Sequence, residues 1–272
     1  MKKIALTLVP AAIMLAATSV MSAELSLLRS FTHPGPSGLA YDDRYCGIWV
    51  ANESRKVSLI SPWGDEILTF DATLSRVDAI DMEGETLVLS DGNGTYLRVT
   101  RDGVPLGEPF RLASFLMDTD GLYIDPATHD LWVADDTLSE VVQLAADGTV
   151  KLRIKGKALR VPMLEPQGVT RDPDSGHILV VDDADATDSL FEFTPEGELL
   201  DVIPLGSSGY DAEGITIQPE TGTVFIAYDD GDRIAAFSYE PTSPIAVSSL
   251  DPGLGGCAIS MLPGALPDPQ HG

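Results

Sequence analysis

The chain has 272 residues and carries 42 Asp and Glu against 17 Lys and Arg, a formal net charge of −25. A field of that sign repels nucleic acid and anionic lipid, which excludes both as partners, and it suits cations. Apolar residues make up 44% of the chain and no acidic tail is present, so the charge does not mark a disordered polyanion.

Lys2 and Lys3 precede an apolar run from Ile4 to Val20, with the small residues Ser22 and Ala23 behind it. This pattern predicts a bacterial-type secretory signal over 1–23 and an exported, periplasmic or secreted protein. An uncleaved anchor is the alternative, although the run is short for a span of about 20 residues. Without the two lysines the balance is 15 basic to 42 acidic residues. No linker divides the remainder, so one domain is expected over 24–262, followed by a Pro/Gly-rich coil over 263–272. The chain is expected to be a monomer. Cys46 and Cys257 are the two cysteines. In an oxidising compartment they can form a disulfide joining the ends of the domain, or remain free thiols. No Cys/His cluster suggests zinc.

In chain order, one pattern recurs. Pro36-Ser37-Gly38-Leu39-Ala40-Tyr41-Asp42 leads to the apolar run Gly47–Ala51, ending at Asn52 and Glu53. Val77-Asp78-Ala79-Ile80-Asp81 leads to Thr86–Ser90 and Asp91. Thr119-Asp120-Gly121-Leu122-Tyr123-Ile124-Asp125 leads to Leu131–Ala134 and the doubled acid Asp135-Asp136. Pro166-Gln167-Gly168-Val169-Thr170 leads to Ile178–Val181 and Asp182-Asp183. Glu213-Gly214-Ile215-Thr216-Ile217 leads to Val224–Tyr228 and Asp229-Asp230. Two further strand-like runs follow in each unit, as in Val141–Leu144 with Val150–Ile154. Equivalent positions Gly38, Ala79, Gly121, Gly168 and Gly214 are 41, 42, 47 and 46 residues apart. Four short strands at that period predict an all-β fold, a β-propeller of four-stranded blades. Gly256–Met261, 42 residues beyond Gly214, resembles the start of a sixth unit, and Leu25–Phe31 is an unassigned strand before the first. Six blades are therefore expected, the last reduced and built from both termini, with five as the alternative.

The first strand of each blade lines the channel, so the residue before each repeated glycine or alanine is expected at the channel mouth. These are Ser37, Asp78, Asp120, Gln167 and Glu213, and all offer oxygen. Asp118, Glu165 and Asp211 stand two positions earlier in three units. Converging carboxylates need a cation or a proton to relieve their repulsion. Hard oxygen ligands favour Ca²⁺, with Mg²⁺ or Mn²⁺ behind it. Most acids at the end of the second strand are expected to bond turn amides. A doubled acid exceeds that need, so Asp136, Asp183 and Asp230 are secondary metal or channel-mouth candidates, and so is Asp185, in an oxygen-rich loop that lacks EF-hand spacing. No nucleophile elbow is present.

Pro-x-Gly-(apolar)-x-x-Asp followed by an Ile/Leu-x-Val-Ala-Asp run resembles the NHL repeat. Glu213-Gly214-Ile215 with Pro219-Glu220-Thr221-Gly222 and Val224–Asp229 is similar to the SdiA-regulated and phytase-like esterase families, and more distantly to the senescence-marker/gluconolactonase family. That resemblance implies a calcium-bearing channel, with Asp120 and Glu213 matching metal ligands of the pre-glycine type. Two functions follow as expectations: a binding or scaffold module that holds Ca²⁺, or a metal-dependent hydrolase of lactones or esters.

Overall fold

A computed structural model describes residues 22–184, 188–206, 208–242 and 257. The expected signal peptide falls almost wholly outside these residues, and the expected C-terminal coil falls wholly outside them. The first strand, β1 (Glu24–Thr32), is not the start of a blade. It pairs antiparallel with the last strand, β19 (Arg233–Glu240), bringing Glu24 opposite Glu240 and Thr32 opposite Arg233. Between them, five inner strands each begin a sheet: β2 (Leu39–Asp42), β6 (Ala79–Glu83), β9 (Gly121–Ile124), β13 (Pro166–Arg171) and β17 (Tyr210–Gln218).

The first blade continues with β3 (Gly47–Ala51), β4 (Lys56–Ile60) and β5 (Glu66–Asp71). The third runs through β10 (Leu131–Asp135), β11 (Glu140–Leu144) and β12 (Val150–Lys155). The fourth runs through β14 (Ile178–Asp182), β15 (Ser189–Phe193) and β16 (Leu199–Pro204). The fifth is β17, β18 (Thr223–Asp230), β19 and, outermost, β1. In the second blade β6, β7 (Thr86–Ser90) and β8 (Tyr96–Val99) form the sheet. Its outer edge is held by single bridges from Tyr96 to Phe110 and from Val99 to Pro105. Pro105 and Pro109 lack the donors that a regular fourth strand requires.

Each middle strand is packed on both faces, which is why β3, β10 and β14 are buried at every position. The outer strand β5 instead alternates between exposed and half-buried residues. The apolar core is divided into five layers, one between each pair of neighbouring blades. Trp49 and Leu59 meet Ile80 and Leu89 between the first two blades. Val133 packs with Val88, Phe191 with Trp132, and Ile226 with Val181 at the next three contacts. Phe225 and Ile234 of the fifth blade then meet Ile48 and Val50 of the first. That last layer closes the ring.

The sequence expectation of six blades is therefore corrected to five. The orphan N-terminal strand completes the fifth sheet, and no gap remains for a sixth between β17 and β2. The repeated glycines show why. A Cβ on Gly214 would lie 1.9 Å from the Ser37 carbonyl oxygen, and one on Gly121 would lie 2.0 Å from that of Gln167. Gly38 faces the Asp78 carbonyl and Gly168 that of Glu213 in the same way. Each glycine thus admits the backbone of the next inner strand, and Gly214 admits the first blade. Gly256–Met261 lies outside the described residues, except for Cys257. That cysteine is bonded to Cys46, with Cα atoms 5.2 Å apart.

Candidate metal centre at the channel mouth

The starts of the inner strands and the ends of the second strands meet at one end of the channel. In the fourth and fifth blades the ladder there is irregular. Pro166 pairs with Asp182 and Val169 with Val180, so Gln167 and Gly168 together oppose Val181. Ala212 pairs with Tyr228 and Ile215 with Ile226, so Glu213 and Gly214 oppose Ala227. An extra residue of this kind re-aims its side chain, a device common beside functional sites.

Three carboxylates come together there. One oxygen from each of Asp183, Asp211 and Glu213 lies within 4.8 Å of the others. Glu213 is pushed up to about 9, first by burial and then by the charges of Asp183, Asp211, Asp120 and Glu53. Asp120 rises to about 8 through burial, with Asp118, Asp78 and Asp136 adding to it. Asp183 rises to about 7 through burial and its contact with Asp211, while Gln167 opposes the shift. Like charges about 4.8 Å apart repel by roughly 3–4 kcal/mol at an effective dielectric near 20, so three ionised acids do not share this space without a counter-charge.

Not every expected residue contributes. Ser37 is buried, and its hydroxyl donates to the Asp78 carbonyl at 2.6 Å, which occupies it in joining the first blade to the second. Asp78 is paired with Arg76, whose guanidinium also approaches Glu53 at 3.6 Å. Burial still raises Asp78 to about 6, against the pull of Arg76. The second Asp78 oxygen is buried without a hydrogen-bond partner and lies against Gly92. Gln167 is only 8% exposed, and its side-chain oxygen likewise lacks a partner of ordinary geometry.

Within the doubled acids, the first member serves the backbone. Asp135 accepts the Met117 and Leu138 N–H groups at 2.9 Å, and Asp182 accepts those of Leu164 and Glu165 at 3.1 and 2.6 Å. The second member is released toward the mouth. Asp183 belongs to the cluster. Asp136 is raised by burial, with Asp118 and Glu165 beside it. Asp230 is exposed at the end of β18 and stands apart from the carboxylate group. Asp185 lies outside the described residues. In the sequence Asp211 stands only as an accompanying acid two positions before Glu213, and the structure brings it into the group.

Fold and site together define a five-bladed β-propeller whose channel mouth gathers carboxylate oxygens. No family model matches the sequence, and no curated protein matches it. Among solved structures it is similar to glutaminyl cyclase of Myxococcus xanthus, with a TM-score of 0.62 and 14% identity over 79% of this chain and 96% of that one. Hydrazine synthase of Kuenenia stuttgartiensis also matches, with a TM-score of 0.47 and 11% identity over 73% of this chain and 57% of that one. The first likeness carries the fold.

Proposed function

We propose that the protein is an exported propeller that binds a divalent cation, Ca²⁺ ahead of Mg²⁺ or Mn²⁺, at the channel mouth and acts as a binding module. The convergence of Asp183, Asp211 and Glu213 supports this reading. Ca–O bonds of about 2.4 Å allow two ligands of one ion to be at most about 4.8 Å apart. The unpartnered Gln167 oxygen beside Asp183 is a neutral donor of the same hard type. Among the described residues no nitrogen or sulfur ligand joins the group, which disfavours zinc or copper. Arg76 neutralises the side of the mouth formed by Glu53 and Asp78, leaving the remaining acids on the third, fourth and fifth blades.

Thermal unfolding in excess Ca²⁺ and in chelator tests the reading. A ligand at about 100 times its Kd adds about 2.7 kcal/mol, which raises the Tm of a domain this size by roughly 5–10 °C. Glu213→Gln and Asp183→Asn should each remove most of that rise. A wild-type protein with the same Tm in both conditions would overturn the metal centre.

One observation favours a second reading, a cation-dependent hydrolase of lactones or esters. The fourth residue before the repeated glycine is Met117, Leu164 or Tyr210 in the third, fourth and fifth blades, exposed to 60, 43 and 64%. These side chains offer an apolar rest for a substrate beside the acids. The bound cation would supply polarisation of a carbonyl. Asp120, with its raised pKa, can hold a proton near neutrality. The resemblance to lactonase and esterase propellers leans the same way, and the glutaminyl cyclase shows that the fold carries enzymes. A panel of lactones and aryl esters separates the readings: turnover that chelator abolishes establishes the hydrolase, and its absence leaves the binding module.

A further inference from the structure

The opposite end of the channel forms an open-mouthed cavity of about 250 Å³, built by all five inner strands. Tyr41 comes from β2, Asp81 from β6, Tyr123 from β9, Arg171 from β13 and Ile217 from β17. Most of its wall is apolar, with Met82 and three prolines contributing. Its charged members are Asp43, Asp81 and Arg171. Arg171 is already engaged, pairing with Asp125 and donating from Nε to the Gly176 carbonyl at 3.2 Å. The cavity therefore keeps an excess of negative charge.

Asp81 is more than the architecture needs. One of its oxygens accepts the Ile124 N–H at 2.5 Å, tying the second blade to the third. The corresponding tie from the fifth blade to the first is the Tyr41 N–H donating to Thr216 Oγ1 at 3.0 Å. Asp81 and Thr216 stand at the same register, two residues past the repeated alanine or glycine. A hydroxyl makes this bond, so a carboxylate at the same place adds a charge that the inter-blade contact does not require. Burial pushes that carboxyl up to about 7, the mark of an ion without a counter-charge. Tyr123 stands close enough to Asp81 to feel its charge.

We propose that this cavity binds a small organic cation, an ammonium group carried on an apolar body. The ammonium would lie against Asp81, and the body would fill the apolar space beside Tyr41 and Tyr123. Tyrosine faces attract such cations, and the attraction strengthens out of water. A bare divalent metal is a poorer occupant, since it needs six or more oxygens where the wall is largely carbon. Anions are repelled. The site is independent of the metal centre, which lies at the other end of the same strands.

Calorimetric titration of the full chain with benzylammonium and benzyltrimethylammonium, and with benzyl alcohol as the neutral control, tests the proposal. Saturable one-to-one binding of a cation is expected, equal in excess CaCl₂ and in chelator, with the alcohol at least tenfold weaker. Asp81→Asn should weaken the cation at least tenfold, and Glu213→Gln should leave it unchanged. Asp81→Thr guards against misfolding, because threonine preserves the bond to Ile124 as Thr216 does to Tyr41. An Asp81→Thr protein that melts like wild type and still binds the cation fully would overturn the proposal. So would equal binding of the alcohol, failure of both cations to saturate, or loss of binding in Glu213→Gln.

Discussion

The two ends of the channel are built from the same repeated strands and are both rich in aspartate, yet they treat charge in opposite ways. At the far end, Asp81 apart, the acids four residues past the repeated glycine in the first and third blades are satisfied by the fold. Asp42 accepts from the Trp49 indole at 2.9 Å and from Arg101 at 2.7 Å. Asp125 accepts the Ala127 and Thr128 N–H groups at 2.8 and 3.0 Å and pairs with Arg171. Burial alone would raise Asp125, but these partners hold it below the usual carboxylate range. At the mouth Glu213 and Asp120 are half-buried among other acids and rise to about 9 and 8. A carboxylate whose partners come from the chain is part of the fold, whereas one left among its own kind calls for something from outside.

The largest effect that sharpens this contrast is expected from the satisfied end. Asp42 is fully buried, and Asp42→Ala strands the Trp49 indole and leaves the buried Arg101 with Glu85 as its remaining partner. Breaking a buried pair from one side costs about 3–5 kcal/mol. Urea unfolding should show that loss while the Ca²⁺-dependent rise in Tm persists. A loss under about 1 kcal/mol would mean that the far-end acids are not structural.

The next effect is a pH dependence of the metal-free protein. Glu213 and Asp120 keep protons in the folded state that the unfolded chain releases above about pH 4.5. Their stabilising contribution is complete below their unfolded pKa values and is lost as pH rises through 8 and 9. Stability in chelator should therefore fall between pH 5 and 9, with a slope of at most about 1.4 kcal/mol per pH unit for each proton. Glu213→Gln, which carries no titrating proton, should be flatter than wild type in the urea midpoints at pH 5, 7 and 9. Parallel profiles would show that Glu213 is not the strained acid.

Much of this was legible in the sequence, and the failures have physical causes. The blade period shows because each blade repeats the same apolar runs, and the pre-glycine ring shows because inner strands share one register. Blade number was hidden because repeats record units and not closure. Closure depends on Gly214 meeting Ser37 and on β1 pairing with β19, contacts between opposite ends of the chain. Arg76 was missed as the neutraliser of Asp78 because nothing in the repeat marks a lone arginine two residues before an acid. The far cavity was missed because Asp81 and Tyr123 read as ordinary strand residues until five strand ends are seen to meet.

The smallest differences come from three aspartates that the sequence places identically. Asp136, Asp183 and Asp230 each follow another acid at the end of a second strand. In the third and fourth blades the N–H of the second acid donates to the carbonyl of Asp118 or Glu165 at 3.2 Å, which turns that acid in over the channel. In the fifth blade Asp230 is itself part of β18, opposite Tyr210, and stays exposed. Replacing each by asparagine should therefore give graded losses of Ca²⁺ affinity by titration. Asp183→Asn should weaken binding roughly tenfold or more, about the 1.4 kcal/mol of one lost charge contact. Asp136→Asn, which lies beside the group but outside it, should weaken it less, and Asp230→Asn should stay within about 0.5 kcal/mol of wild type. Equal losses at all three positions would mean that the mouth attracts Ca²⁺ by its overall charge. The graded order would place the ion between the fourth and fifth blades, where the irregular ladder turns Gln167 and Glu213 toward it.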